Sequence, residues 1–450
     1  MSVVGLDIGT SGVKGLALED GEVVAQAEAG YPLSTPRPGW AEQDPDDWWR
    51  ATEQVLAQLP DATAIGLSGQ MHGLVALDSA DHVLRPAILW NDQRTAAECR
   101  VIEERVGFEV LGNPVLTGFT APKLLWVKRH EPDVHARIAK VMLPKDYVRL
   151  KLTGEHATDV ADASGTLWLD IAGRRWSDAV LEALEVDPAW LPRLYESPEV
   201  SGHTRDGVPV AAGAGDQAAG ALGVGVDRPG GPLSVVLGTS GVVFAAQDRF
   251  APDPRLHTFC HAVPGAWHQM GVMLSAAGSL TWLADVLRAD YADLGRAAER
   301  WPPGTEGLTF LPYLAGERTP HNDPDARGSF TGLSLRHDRG ALTRAVLEGV
   351  AFALRDALDL IAGGRAGAGS ARVSGGGARS DLWLEILASV LELPLERVAV
   401  DEGAAYGAAL LAGADATPTV TRTIEPNPAW VEPYREARER FVALYPALRQ

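Results

Sequence analysis

Gly9-Thr10-Ser11-Gly12-Val13, near the start of the chain, recurs as Gly238-Thr239-Ser240-Gly241-Val242 just past its midpoint. The first copy lies between apolar residues 3–8 and 13–18, and the second interrupts the apolar run 234–246. An apolar strand, a Gly-rich bend and a second apolar strand predict an antiparallel hairpin at each place. Asp20-Gly21 then predicts a further tight turn into a strand over residues 22–27. A five-residue match arises easily in a chain with 48 glycines. Its context gives it weight: both copies sit between strands, and each opens a half of similar length. We read this as the duplication of a whole domain.

A chain of 450 residues allows about three domains at ~150 residues each. The duplication reduces that to two, 1–226 and 227–450, divided at Asp227-Arg228-Pro229-Gly230-Gly231-Pro232. Lys and Arg number 40 against 59 Asp and Glu, a net charge of −19. That balance argues against nucleic acid or an anionic membrane surface as a partner. It also means that an anionic ligand needs local backbone N–H groups or a metal ion. Hydrophobic residues at 46% and charged residues at 22% suit a globular protein with a large core. Cys99 and Cys260 have no CxxC partner and are expected as free thiols. Neither a signal peptide nor an apolar run of 18 residues is present, so a cytoplasmic location is expected.

Outward from the bends, Asp44 followed by Pro45, Asp46 and Asp47 predicts a capped helix start. An apolar run at 64–67 leads to Gly69-Gln70-Met71-His72-Gly73 and a return strand at 74–77, and a helix is expected over 121–129. Residues 208–212 predict a strand that ends in Gly213-Ala214-Gly215-Asp216, with a small-residue helix over 217–223. In the second half, helices are expected over 274–287, from Asp338 toward Ile361, and over 380–391. A loop is expected over 310–333, and the Thr- and Pro-rich residues 414–428 are read as a connector. A last helix places Tyr434, Phe441 and Tyr445 on one face.

Several familiar signatures are missing. No G-x-x-x-x-G-K-[ST] occurs, and Gly375-Gly376-Gly377-Ala378 does not follow the dinucleotide pattern G-x-G-x-x-G. His130 and His135 are one position too far apart for a zinc-binding helix, and Pro132 interrupts it, so a surface turn is expected. What remains is three Gly-rich bends at strand ends, 9–12, 238–241 and 375–377. Singly, each is an ordinary turn. Together they suit a polyphosphate, because Gly9, Gly238, Gly376 and Gly377 let N–H groups approach it and Thr10, Ser11 and Thr239 add hydroxyl donors. Asp7 either caps the first bend or orients Mg²⁺ through water. Asp216 is either a helix cap or a general base, and the residues alone leave both open. Met71 and His72, with Trp90 and Asp92 in Trp90-Asn91-Asp92-Gln93-Arg94, combine apolar faces with polar groups as a sugar site requires.

With these residues in view, the chain resembles the FGGY carbohydrate kinases over nearly its whole length. The resemblance runs through residues 6–14, Trp40-Ala41-Glu42-Gln43-Asp44-Pro45, Gly69-Gln70-Met71-His72-Gly73 and Gly118-Phe119-Thr120-Ala121-Pro122-Lys123. It continues in Leu143-Pro144-Lys145-Asp146-Tyr147, Gly215-Asp216, residues 237–241, residues 310–320 and residues 375–379. Gln-Met-His-Gly and Gly-Phe-Thr-Ala-Pro-Lys are the more particular elements, and they resemble the branch that phosphorylates D-xylulose. The resemblance implies an α/β fold of two duplicated actin-like (ribonuclease H-like) domains with an interdomain catalytic cleft. It further implies ATP and Mg²⁺ as cofactors and a small sugar as substrate. Asp216 would be the base, Asp7 would matter for activity, and Met71 and His72 would contact the ketose. Gly376, Gly377 and Ala378 would hold the nucleoside. Gln217 follows the base where the family pattern has Asn, and it is expected at the sugar. Other FGGY substrates such as ribulose or glycerol, and a sugar-independent actin-like ATPase, are the alternatives. A homodimer is compatible with the sequence without being specified by it.

Overall fold

The structure is a computed structural model that describes residues 2–361, 369–399 and 403–449. Two seven-stranded sheets organise it, one in each half. In the first, the strands run in the order Val200–His203, Pro209–Ala211, Ala62–Gly69, Ser2–Ile8, Gly12–Glu19 and Glu22–Gly30. Ala214–Gly215 pairs with the end of Ala62–Gly69. In the second, the order is His257–Cys260, Trp267–Met273, Gly241–Gln247, Leu233–Leu237, Ala371–Ser374, Leu395–Val398 and Val420–Ile424.

The two orders match strand for strand. Each half's opening strand forms an antiparallel hairpin across its Gly-rich bend and lies parallel to a strand that arrives later in sequence. Leu6 thus faces Gly15 on one side and Leu67 on the other, as Val235 faces Val243 and Val373. A central strand flanked on both sides and covered by helices is apolar throughout, and Val4, Leu6, Ile8, Val235 and Leu237 are fully buried. The duplication expected from the repeated bend is therefore present in the topology. The second sheet adds one edge strand, His257–Cys260.

The local expectations hold where short-range chemistry sets them. Asp44 caps the helix Pro45–Leu56 through the N–H of Asp46, and Asp338 caps Arg339–Leu360. The loop expected at 310–333 contains a strand, Ser329–Thr331, that pairs with Thr309–Leu311. Residues 414–428 are more than the expected connector: Val420–Ile424 is the edge strand of the second sheet, paired antiparallel with Leu395–Val398. Its Val-Thr-Arg-Thr-Ile composition is β-branched, and its side chains are mostly exposed, as suits an edge. The final helix begins earlier than expected, at Pro428. It docks through Tyr434 and Phe441, each 1% exposed, and Tyr445 stacks on His321 with ring centroids 3.6 Å apart. His130 and His135 pack against neighbouring rings, Trp126 and Trp190.

One helix of the second half crosses onto the first. Gly403–Leu411 belongs to the second half by sequence but lies against the first sheet and across the helix Asp216–Gly223. The contact is backbone to backbone: a Cβ on Gly5 would fall 1.9 Å from the Ala405 carbonyl oxygen. One on Gly407 would fall 1.9 Å from that of Ala219. Among the described residues no helix is long and apolar enough to cross a membrane.

Candidate active site

The first bend is held from behind. Its Gly9 N–H donates to the Gly12 carbonyl at 3.0 Å, and the Tyr31 hydroxyl donates to the Gly9 carbonyl. Gln43 donates from Nε2 to the Thr10 carbonyl at 2.7 Å and accepts at Oε1 from Trp48 and Gln70, both at 3.0 Å. Trp90 Nε1 donates to Thr10 Oγ1 at 3.0 Å. With its carbonyls engaged inward, the bend turns Ser11 to solvent. Gln43 and Gln70 lie within stretches that carry the family resemblance, whereas no motif marks Tyr31. Asp7 stands just before the bend, and its Oδ1 accepts from Ser68 Oγ at 3.0 Å.

The second bend is tied to a helix. The Gly238 and Thr239 carbonyls accept from the N–H groups of Ala277 and Ala276, both at 2.8 Å, at the start of Ala277–Leu287. Thr239 and Ser240 are exposed. The third bend packs against the strand that leads into the second. Gly375 has φ +87°, and a Cβ there would meet the Leu237 backbone at 2.7 Å. Gly377 is buried on Leu237 and Trp383, while Gly376 faces open space. Gly376 and Ala378 line a cavity of about 570 Å³ together with Ser374, Arg379, Arg397 and Lys14. Lys14, two residues beyond the first bend, comes from the first half, so this cavity too has lining from both halves.

Asp216 is the first residue of its helix, and Gly215 occupies the cap position. That removes the capping role from Asp216 and leaves its carboxylate facing a cleft. Burial pushes its pKa up to about 7, with the nearby Asp7 charge acting in the same direction. Gln217 Nε2 lies 3.4 Å from Asp216 Oδ1. Met71 packs on Gly215, where a Cβ would come within 2.6 Å of its Cγ.

His72 adopts a left-handed backbone, φ 68°, which turns its side chain into the cleft. Thr120 Oγ1 and the fully buried Lys123 Nζ donate to its carbonyl at 3.1 and 2.7 Å. Its ring lies edge-on to Phe119, centroids 4.7 Å apart, and burial holds it neutral. Nδ1 lies 3.1 Å from the Gly165 carbonyl, which can only accept. The proton must therefore sit on Nδ1, leaving Nε2 as an acceptor.

The cleft has about 130 Å³ of water-accessible space and walls from both halves. Met71, His72, Trp90, Asp216 and Gln217 come from the first, in agreement with the residues singled out from sequence. Asp92 does not join them. It is fully buried, accepting from the Ala41 N–H at 2.6 Å and from Arg94 at 2.7 and 2.9 Å. It braces the Trp90 segment from below. The second half contributes Ser240, Val242, His257, Met270, Val272 and Arg318, of which sequence reasoning singled out none as sugar ligands. Arg318 was at least visible, as a charge within the quoted stretch 310–320; nothing in the sequence pointed to His257.

Comparison with known proteins identifies the family. The model of the FGGY family of carbohydrate kinases, N-terminal domain, matches residues 2–223, and that of its C-terminal domain matches residues 233–416. The chain is 45% identical to the xylulose kinase of Escherichia coli (strain K12), over 99% of each. It is also 45% identical to the xylulose kinase of Klebsiella pneumoniae, over 91% of this chain and 89% of that one. Among solved structures, a xyloylose kinase from Brucella ovis superimposes with a TM-score of 0.95 at 46% identity, covering 100% of this chain and 99% of that one.

Proposed function

The chain belongs to the FGGY family of carbohydrate kinases, and we propose that it transfers the γ-phosphoryl group of ATP to the 5-hydroxyl of D-xylulose. The observation that carries this proposal is Asp216: a carboxylate raised to about 7 that lines a small cleft with walls from both halves. A base of that pKa is half ionised near neutrality and can take a proton from an alcohol as the alcohol attacks phosphorus. The 5-oxygen–phosphorus bond forms, the bond between the γ-phosphorus and the β–γ bridging oxygen breaks, the hydroxyl proton passes to Asp216, and ADP leaves. His72 Nε2 and the Gln217 amide orient the sugar, and the face of Trp90 supplies the apolar contact.

The nucleotide lies along the cavity of Gly376, Ala378, Arg379 and Lys14, with its phosphates toward Gly9–Ser11 and Gly238–Thr239. Among the described residues no cluster of three His, Cys, Asp or Glu could hold a metal by itself. Asp7, the single carboxylate at the first bend, fits an Mg²⁺ ion whose other ligands are phosphate oxygens and water. Such an ion would neutralise phosphate charge. We also take the boundary between the domains to lie at residues 226–227, inside the interval that neither family model covers, and the location to be cytoplasmic.

A coupled assay of ADP release over D-xylulose, D-ribulose, glycerol and no sugar tests the proposal. D-xylulose should give the highest kcat/KM. Preference for another sugar overturns the substrate, and ATP hydrolysis unaffected by every sugar overturns the kinase itself.

A further inference from the structure

Arg318 stands in the cleft wall with no protein partner for its charge. Its guanidinium makes neither a hydrogen bond nor an ion pair with any described residue. The adjacent Glu317 does not neutralise it: that carboxyl is 1% exposed, turns back to accept from the Arg318 backbone N–H at 2.7 Å, and is pushed up by burial to about 8. The other groups facing Arg318, His72 and His257, are both held neutral by burial.

The position of Arg318 is fixed by its neighbour. Thr319 donates from its N–H to the Val272 carbonyl at 3.0 Å and accepts at Oγ1 from the Val272 N–H at 3.0 Å. It also donates from Oγ1 to the Arg255 carbonyl at 3.0 Å. Val272 pairs with Val242, two residues after Ser240 of the second bend. Arg318 is thus clamped onto the second sheet between the phosphate bend and the sugar-facing histidines.

An unpaired guanidinium in a largely desolvated wall is costly unless an anion visits it. A ketose is neutral, so the anion that enters this cleft in the reaction proposed above is the phosphoryl group. Resting on that assignment, we propose that Arg318 is a catalytic residue that meets the phosphoryl group in transit and holds it on the newly formed sugar phosphate. The guanidinium donates to the non-bridging oxygens while the bond to ADP breaks and the bond to the sugar oxygen forms, and it exchanges no proton.

Kinetics of Arg318→Ala and Arg318→Lys, with thermal melts to confirm folding, test this. Arg318→Ala should lower kcat by ~10²–10³-fold, the range for loss of one charge-stabilising donor, with KM for the sugar changing by less than about threefold. Affinity for the sugar 5-phosphate, measured by calorimetry without ATP, should fall at least about tenfold, and added guanidinium should restore part of the rate. Arg318→Lys keeps the charge without the planar fork and should fall between the two. A raised KM with kcat retained would make Arg318 a ligand of sugar hydroxyls and overturn the proposal, as would unchanged kinetics or unchanged product affinity. If the sugar panel selects a substrate other than D-xylulose, the comparison is run on that sugar, so the two results stay separable.

Discussion

At the scale of single residues, the base proposed at Asp216 would couple catalysis to a cost in stability. Its folded pKa of about 7 lies well above the ordinary carboxylate value, so the fold favours the protonated acid. The stability it contributes is full below pH 3.8 and is lost as pH rises through about 7. Catalysis needs the opposite form. The kcat/KM profile should therefore rise with pH along a limb centred near 7 and fall away in acid, measured at saturating Mg-ATP. Asp216→Asn should lower kcat by at least the ~10²–10⁴-fold typical of a general base. At pH 8 its Tm should equal or exceed that of the wild type, because a buried charge has been removed. A variant that loses activity and Tm together would show Asp216 to be a structural residue. The sequence left this residue divided between cap and base because both roles use a carboxylate after Gly. Only the placement of Gly215 at the cap separates them. Asp92 shows the converse: polar and near the right motif, it is consumed by Arg94 and Ala41.

At the scale of elements, the site depends on the crossing of Asp216–Gly223 with Gly403–Leu411. Gly407→Ala would push a methyl group into the Ala219 carbonyl, a contact that neither backbone can relieve by rotating a side chain. Overpacking of this kind costs about 1–3 kcal/mol. Tm should fall by several degrees, and kcat should fall with it, because the displaced helix carries Asp216 at its first position. Gly220 lies in the same crossing, yet a Cβ there would have its nearest neighbour 4.0 Å away, at the Ala404 nitrogen. Gly220→Ala should leave Tm unchanged or raise it, by the ~1 kcal/mol helix advantage of Ala over Gly. Equal melts for the two variants would refute the close crossing. Nothing in the sequence announced this element. Gly-Ala-Ala-Tyr-Gly-Ala-Ala at 403–409 reads as small residues without a partner, since its partners, Gly5, Gly66 and Ala219, lie hundreds of residues away. The hairpins, caps and final helix were legible because their signals are local. The second wall of the cleft was not, because His257 and Arg318 meet His72 only through the closure of two sheets.

At the scale of the whole molecule, a net charge of −19 must be reconciled with a polyanionic nucleotide. Backbone N–H groups and a metal ion were the expected means, and the cavity proposed for the nucleotide adds a third in Lys14, Arg379 and Arg397. Those cations come from both halves, as do the walls of the sugar cleft, so neither site is complete within one domain. The repeated bend made the two-half arrangement legible early, because a duplicated hairpin predicts the duplicated sheet order that the two halves share. Besides the helix crossing and the chain at 224–232, the halves share a buried seam in which Val242, Phe259 and Met270 lie in one apolar cluster with Met71 and Phe119 and Asn113 bonds Thr258, so we propose that they close by a small hinge about that seam. Closure would bring Arg318 and Ser240 toward Asp216 and exclude water from the phosphoryl group. Small-angle scattering should then show a smaller radius of gyration with sugar and a non-hydrolysable ATP analogue together than with either alone. Sugar should also raise the rate of ADP release well above the sugar-free rate. Identical scattering in all four ligand states, with rate enhancement intact, would mean that the cleft is already closed around its chemistry and that Arg318 reaches the phosphoryl group without domain motion.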